Sequence, residues 1–349
     1  MKLHVYIGSN VDLFAAGRTL AGLYAQPEIQ VTLHRVNWIT NPTSLGLEFE
    51  QLKLGIGLSD HSDLWDAPLL EWCDVYAKRN INAQHLNPLS YKVIPFGLNW
   101  ACHSRTSAIT MLTAVAATPP RVSRARLREV YRYLATPHWR AFEHPPDQPV
   151  DSTILFQARV WEPGEAPGDE IVNDERINLL YELRRAFGAR VLGGVVPTPF
   201  ARQRYPNLIT PLPCRQPQFI RWAKKPLIGI YFRGLFGSVA FKMAEYFAAS
   251  KCIVSEPISN QLDEPINHLK TYKSADECIS ACDLFLSNPK QAQEARQASW
   301  NYYLRNVHPQ AQIARLLWRA RVHAQAIAEA SEPVQQLRPS QSPSLTECY

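Results

Sequence analysis

No apolar run in this chain is long enough to cross a bilayer, and the most apolar helical stretch, 108–117, falls well short. The opening MKLHVYIG has one lysine and then a short strand-like run, where a secretory leader would carry a longer apolar stretch. The expectation is a cytoplasmic protein with no transmembrane segment and at most peripheral contact with the inner face of the membrane. Cysteine is sparse and scattered: the seven residues Cys73, Cys102, Cys214, Cys252, Cys278, Cys282 and Cys348 form no pair of close pairs. That spacing excludes a zinc knuckle and fits reduced thiols. Asp-x-Asp is absent, so no bound metal is expected. G-x-G-x-x-G is absent too: the first strand exits through Gly8-Ser9-Asn10, and a later FRGLFGS has glycines only at 234 and 237. No acidic residue closes the strand at 251–254, although Glu256 follows closely, so an NAD-dependent oxidoreductase ranks as the lowest alternative. There is no internal repeat of solenoid length.

What is present is an ordinary globular composition, 46% hydrophobic over 349 residues, which is enough for two domains. The net charge of +6 is spread among mixed signs. It suits an anionic small substrate or surface and is not a nucleic-acid signature. The single arginine cluster (Arg121, Arg124, Arg126, Arg128) includes Glu129 and reads as the polar face of a helix carrying Val130, Tyr131 and Leu134.

The order of patterns is α/β. Leu3 to Ile7 is a strand, 13–24 a helix and 30–33 a second strand, with 69–77 and 92–95 as further sheet material. Residues 107–117 and 123–134 read as helices. Prolines 137, 145, 146 and 149 break the pattern and place a linker at 135–150, between an acceptor-side domain (1–134) and a second α/β domain (151–290). In the second domain 153–156 is a strand, 174–187 a helix capped by Asn173 and ended by Gly188, and 190–192 a strand. Ser274 and Glu277 form a capping box ahead of the helix at 274–286. Helices at 291–304 and 309–328 follow, Pro309 being suited to a first helical position. They are expected to pack back on the first domain, ahead of a disordered Ser/Pro/Gln-rich tail at 331–349.

The most informative stretch is 226–258, PLIGIYFRGLFGSVAFKMAEYFAASKCIVSEPI, a strand–loop–helix–strand unit. Polar residues gather at its junctions, where open parallel sheets bind ligands. Ser238 is positioned to cap the helix and leave first-turn N–H groups for an anion, with Gly234 and Gly237 making room for phosphate. Lys242 and Glu245 share a flank with Ser238. Arg233 and Lys242 offer positive charge to a diphosphate, and Glu245 offers an acceptor to ribose hydroxyls. An exposed Lys–Glu pair on an ordinary helix fits the same spacing.

That unit, with the LKTYKSADECISACDLFLSNPK segment and the helices after it, resembles the donor domain of GT-B glycosyltransferases of the group-1 type and their bacterial polysaccharide and spore-coat relatives. CDVYAKRN and VIPFGLN in the first half are also similar to such relatives. The resemblance implies a GT-B fold, two Rossmann-like domains facing a cleft, and metal-independent transfer of a sugar from a nucleotide-diphosphate donor, with no further cofactor. The acceptor would be a hydroxyl on a glycan, a lipid-linked glycan or a small molecule. It implies that Glu245 holds the donor ribose and that Arg159, after the first donor-domain strand, contacts the diphosphate. Two departures stand out. Ser250 replaces the family's glycine, and the lysine that usually follows the Gly-Arg pair is missing, a role that Arg233 or Lys242 could take. On the acceptor side Asp12, Asp60, His61 and His103 are candidates for a base, His61 foremost because it lies between Asp60 and Asp63; a solvated loop is the plainer reading. A catalytically degenerate nucleotide-binding or structural relative is the main alternative.

Overall fold

The computed structural model describes residues 1–82, 89–116, 124–165 and 168–336. Ala117, Arg121 and Ser123 of the helix readings, and residues 337–349 of the expected tail, lie outside the described residues. The first half runs β1 (Lys2–Gly8), α1 (Leu13–Tyr24), β2 (Gln30–Val36), β3 (Ser44–Phe49), β4 (Leu52–Gly57), α2 (Ala67–Trp72), β5 (Val75–Lys78), β6 (Val93–Pro95), α3 (Arg105–Ala116) and α4 (Arg124–Leu134). The second half runs β7 (Asp151–Ala158), α5 (Asp169–Phe187), β8 (Val191–Val195), α6 (Pro199–Arg204), α7 (Gln216–Ala223), β9 (Pro226–Tyr231), α8 (Phe241–Ala248), β10 (Cys252–Ser255), β11 (Lys270–Thr271), α9 (Ala275–Ser287) and α10 (Pro289–Tyr302), and α11 (Pro309–Gln336) follows.

Two separate sheets result. The second has the order β11-β10-β9-β7-β8 and is parallel throughout. Every residue of β9 is buried, as a strand covered on both faces requires, which explains its unbroken apolar run. The first has the order β2-β1-β3-β4-β5-β6 and is mixed: β3 runs antiparallel to both β1 and β4. The β3–β4 hairpin is absent from the sequence reading. Its two-residue turn is Glu50-Gln51, both at positive φ (50° and 67°), without the Asn-Gly or Asp-Gly pair that marks such turns. A second difference is α2: Asp66 accepts from the Leu69 amide at 3.2 Å, and this cap makes a helix of the first part of what read as strand.

The chain crosses between the halves twice. The first crossing passes through a 3-10 turn at Trp139–Phe142, anchored by a Trp139 N–H bond to the His103 carbonyl at 3.1 Å. The second is a π turn, Tyr303–Val307, joining α10 to α11. α10 stays with the second sheet, where Ser299 donates to the Lys251 carbonyl at 2.8 Å. α11 packs back on the first: Ile313, Leu316, Leu317 and Ala320 enter the core formed by Leu3, Val5, Leu20 and Leu54. A third apolar cluster joins the halves beneath the cleft. It holds Leu98 and Trp100 from the first half, Tyr231 and Phe247 from the second, and Trp139, Phe142 and Tyr303 from the crossings. The architecture is therefore two α/β domains with the closing helix returned to the first, as the GT-B resemblance implies. α11 reaches Gln336, so 331–336 is helix and not disordered tail.

Candidate functional site

In the second sheet the strand order reverses between β7 and β9, and the crevice beyond the carboxyl ends of such a pair is where doubly wound sheets bind ligands. A cavity of about 370 Å3 lies there. Gln157, Ala158 and Arg159 from the end of β7, Phe232 from the end of β9, Arg176 from α5 and the start of α8 line it, and Asp60 and Arg79 of the first domain close it.

Arg176 is the central group of this wall, and the sequence reading did not single it out. Its guanidinium donates at 2.6 Å to the carbonyl of Arg159 and at 2.6 Å to that of Arg233, holding the two strand exits together. The guanidinium lies 4.3 Å from the Trp161 ring, and its Nε is buried without a partner. Burial lowers its pKa to about 10, countered by Glu256, so it stays charged at neutral pH. A signal was present: Asn173, Arg176, Ile177, Leu180 and Leu183 follow helical spacing, which puts two polar residues on the buried face. Asn173 was expected to cap the helix. Instead α5 begins at Asp169 after Gly168 at φ +79°, and the Asn173 amide exchanges two bonds with the Trp161 backbone, at 3.0 and 2.8 Å.

The loop after β9 differs from its expected form. α8 starts at Phe241, its N-cap is Ala240, and no side chain caps it, so Ser238 does not. Ser238 is buried, and the Gly234 N–H donates to its carbonyl at 2.8 Å. A Cβ at Gly234 would meet Ser238 Oγ at 2.6 Å, so Gly234 serves the closure of the loop on itself. Gly237 (φ +66°) faces open space, and Phe236 also takes positive φ, +59°. Arg233 turns away from the cavity: it pairs with Glu175 and with Glu256 (3.1 Å), and its N–H donates to Glu256 at 2.8 Å. Two carboxylates neutralise it, which removes it as a replacement for the missing lysine. Glu256 is engaged in the same pairs.

Lys242 does line the cavity, with Nζ 4.4 Å from the Phe219 ring. Burial lowers its pKa, and Glu245 opposes the shift. Arg159 is largely exposed at the rim, 3.6 Å from Glu165. Glu245, one turn along α8, is not part of the cavity wall. Gln216 donates to its carboxylate at 3.3 Å, and burial raises its pKa against the pull of Lys242. His61 is not among the cavity's lining residues, but its ring lies 3.8 Å from that of Phe236, which is, and its Nδ1 3.8 Å from Asp63. Arg79 is the cross-domain contact: its guanidinium meets Asp60 at 2.6 Å, donates to the Val239 carbonyl at 2.8 Å and covers the Phe241 ring at 4.7 Å.

The N-terminus of α1 contrasts with that of α8. The Asp12 carboxylate takes the Phe14 and Ala15 amides (2.8 and 3.0 Å) and Glu129 takes that of Leu13 at 3.1 Å. A Cβ at Gly8 would meet the Ile39 carbonyl at 2.7 Å. The first β–α junction is thus closed by acidic caps and by the chain at Ile39, an arrangement that repels a dinucleotide phosphate. Asp12 and His103 lie away from the switch-point cavity, whose wall they do not join. Among the described residues no cluster of His, Cys, Asp or Glu is arranged to hold a metal, and no helix is long and apolar enough to cross a membrane.

No protein-family model matches the chain, and no curated protein matches it. Among solved structures it is similar to S. aureus MnaA solved with UDP, at 10% identity, covering 90% of this chain and 95% of that one, with a TM-score of 0.42. It is also similar to a UDP-N-acetylglucosamine 2-epimerase (11% identity, 91% and 94% coverage, TM-score 0.40). A third is AviGT4, a glycosyltransferase of avilamycin A biosynthesis (13% identity, 90% of both chains, TM-score 0.39). All three are distant in sequence and superpose loosely.

Proposed function

We propose that the switch-point cavity binds the diphosphate of a nucleotide-sugar and that the protein transfers the sugar to an acceptor hydroxyl. The observation that carries this reading is the pairing of an uncapped helix N-terminus with a charged, buried arginine. α8 has no side-chain cap and its first residues line the cavity opposite Arg176. Helix amides and a fixed cation suit the leaving diphosphate, which gathers negative charge as the glycosidic bond breaks. Lys242 and Arg159 add positive charge around the same space, and Arg79 is held in its pair with Asp60. No metal is required for that compensation in this reading.

Glu245 is proposed to hold the ribose. Its carboxylate now accepts from Gln216, and two ribose hydroxyls would take the place of that amide. His61 is proposed as the acceptor-side base on position alone, since its loop borders the cavity mouth through Asp60.

Calorimetry against UDP-, GDP- and ADP-sugars tests the reading. One nucleotide should bind, and Arg176→Met and Arg159→Ala should weaken the free diphosphate as well as the sugar donor. Glu245→Ala should cost about 1.5–3 kcal/mol, one to two powers of ten in affinity. A protein that binds none of the panel is not a nucleotide-sugar enzyme, and the degenerate alternative would then stand.

A further inference from the structure

A second and larger cleft, of about 570 Å3, opens between the domains. Phe14 of α1 and Tyr131, Arg132 and Thr136 at the end of α4 form one wall; Arg215 and Gln216 at the start of α7 form the other. The lining contains two arginines and no carboxylate. Neither guanidinium has an ion-pair partner among the described residues; Arg132 instead lies 5.6 Å from the Phe14 ring. At the switch-point cavity, by contrast, Arg176 is fixed by two carbonyls and Arg79 by its aspartate. Two cations left without counter-charge in a concave surface make a positive field that an anion completes.

We propose that this cleft binds a sugar-sized molecule carrying an acidic group. The volume falls in the range of small-molecule sites. Tyr131, well exposed, offers a flat apolar face to a pyranose ring, and the Gln216 side-chain carbonyl offers an acceptor to its hydroxyls. Arg132 and Arg215 line the cleft from different domains and read a carboxylate or phosphate through charge-assisted bonds. Gln216 connects the two spaces: its amide donates at 3.3 Å to the Ala101 carbonyl and at 3.3 Å to Glu245, on the helix whose first turn lines the donor cavity.

The test uses three probes on the full chain: methyl β-glucuronide, glucose 6-phosphate and the uncharged methyl β-glucoside, followed by saturation-transfer NMR and calorimetry. At least one acidic probe should bind ten-fold or more tightly than the glucoside, and weaken as salt is raised. The carboxylate and phosphate arms tell which acid is preferred. A double variant, Arg132→Gln with Arg215→Gln, changes exposed side chains; it should abolish the preference and leave nucleotide affinity unaltered. Equal binding of the glucoside, binding of no probe, or an acidic preference that survives the double variant would each overturn the proposal. If nucleotides fail to bind while the arginine-dependent preference persists, the acidic-sugar cleft stands and the donor reading alone falls.

Discussion

The rings of His61 and Phe236 lie 3.8 Å apart, centroid to centroid, and they come from different domains. Phe236 holds its position with φ at +59°, in the left-handed region that an aromatic residue seldom adopts. The contact thus sets an aromatic attraction of about 0.5–1.5 kcal/mol against backbone strain of about 1–3 kcal/mol. Phe236→Ala loses the ring and keeps the strain, whereas Phe236→Gly loses the ring and relieves it. The glycine variant should unfold at the higher temperature of the two, by about 1 kcal/mol of stability. Thermal midpoints in the reverse order would show the loop unstrained.

Arg176 joins the exits of β7 and β9 through two carbonyls. Arg176→Met leaves both carbonyls without their donor in a buried setting and should cost about 2–4 kcal/mol in denaturant unfolding. Arg176→Lys keeps the charge but cannot span both, so it should recover only part of the stability. Full recovery by lysine would mean that charge, not the fork of two bonds, is what matters.

Gly22 is where α1 and α11 cross. A Cβ there would meet the Pro309 carbonyl at 2.4 Å and Ile313 Cγ1 at 2.5 Å, in backbone and core that have little room to shift. Gly22→Ala should destabilise by about 1–3 kcal/mol despite the better helix propensity of alanine. Amide exchange should quicken along α11 in particular. Unchanged protection of that helix would argue against tight closure of the C-terminal helix on the first domain.

His308 stands at the second crossing with its ring 4.5 Å from that of Trp139. Burial, with Arg18 and Arg140 nearby, lowers its pKa from 6.5 to about 4. The folded pKa is the depressed one, so the unfolded chain binds the proton first as pH falls. The neutral ring's contribution is complete above pH 6.5 and is lost progressively between 6.5 and 4. Thermal midpoints should fall across that window, and His308→Gln should flatten the fall. A variant with the same pH profile as the parent would place the titration elsewhere.

Local rules were enough where the chemistry of an element is contained in a few neighbouring residues. The buried run of β9, the end of α5 at Gly188 (φ +56°) and the start of α11 at Pro309 all stand where the patterns put them. Half of the box at Ser274 forms: Ser274 caps α9, accepting from the Glu277 amide at 3.2 Å, while Glu277 reaches one residue past the cap to the Lys273 N–H at 2.6 Å. Even the departure at Ser250 is legible. It holds φ +43°, the conformation for which glycine is favoured, and its hydroxyl bonds the His144 carbonyl.

Partnership across the chain was not legible, and that is what defines the site. Arg233, Lys242 and Arg159 look alike as cations near one loop. Only the fold brings Glu175, 58 residues away, to neutralise the first while the other two face the cavity. Asn173 looks like a cap until Trp161 folds over it. Arg79 and Arg132 are unremarkable in sequence, and the approach of the second domain makes one a cross-domain tie and the other the wall of a cleft. The sequence by itself determined the two α/β halves and most of their elements, because hydrophobic period and capping act within a turn or two of chain; the β3–β4 hairpin, whose Glu50-Gln51 turn lacks the usual residue pair, was not legible. The tertiary structure alone decided which charges are spent on one another and which remain for a ligand, because Coulomb interactions and desolvation depend on distances between residues that sequence order does not set.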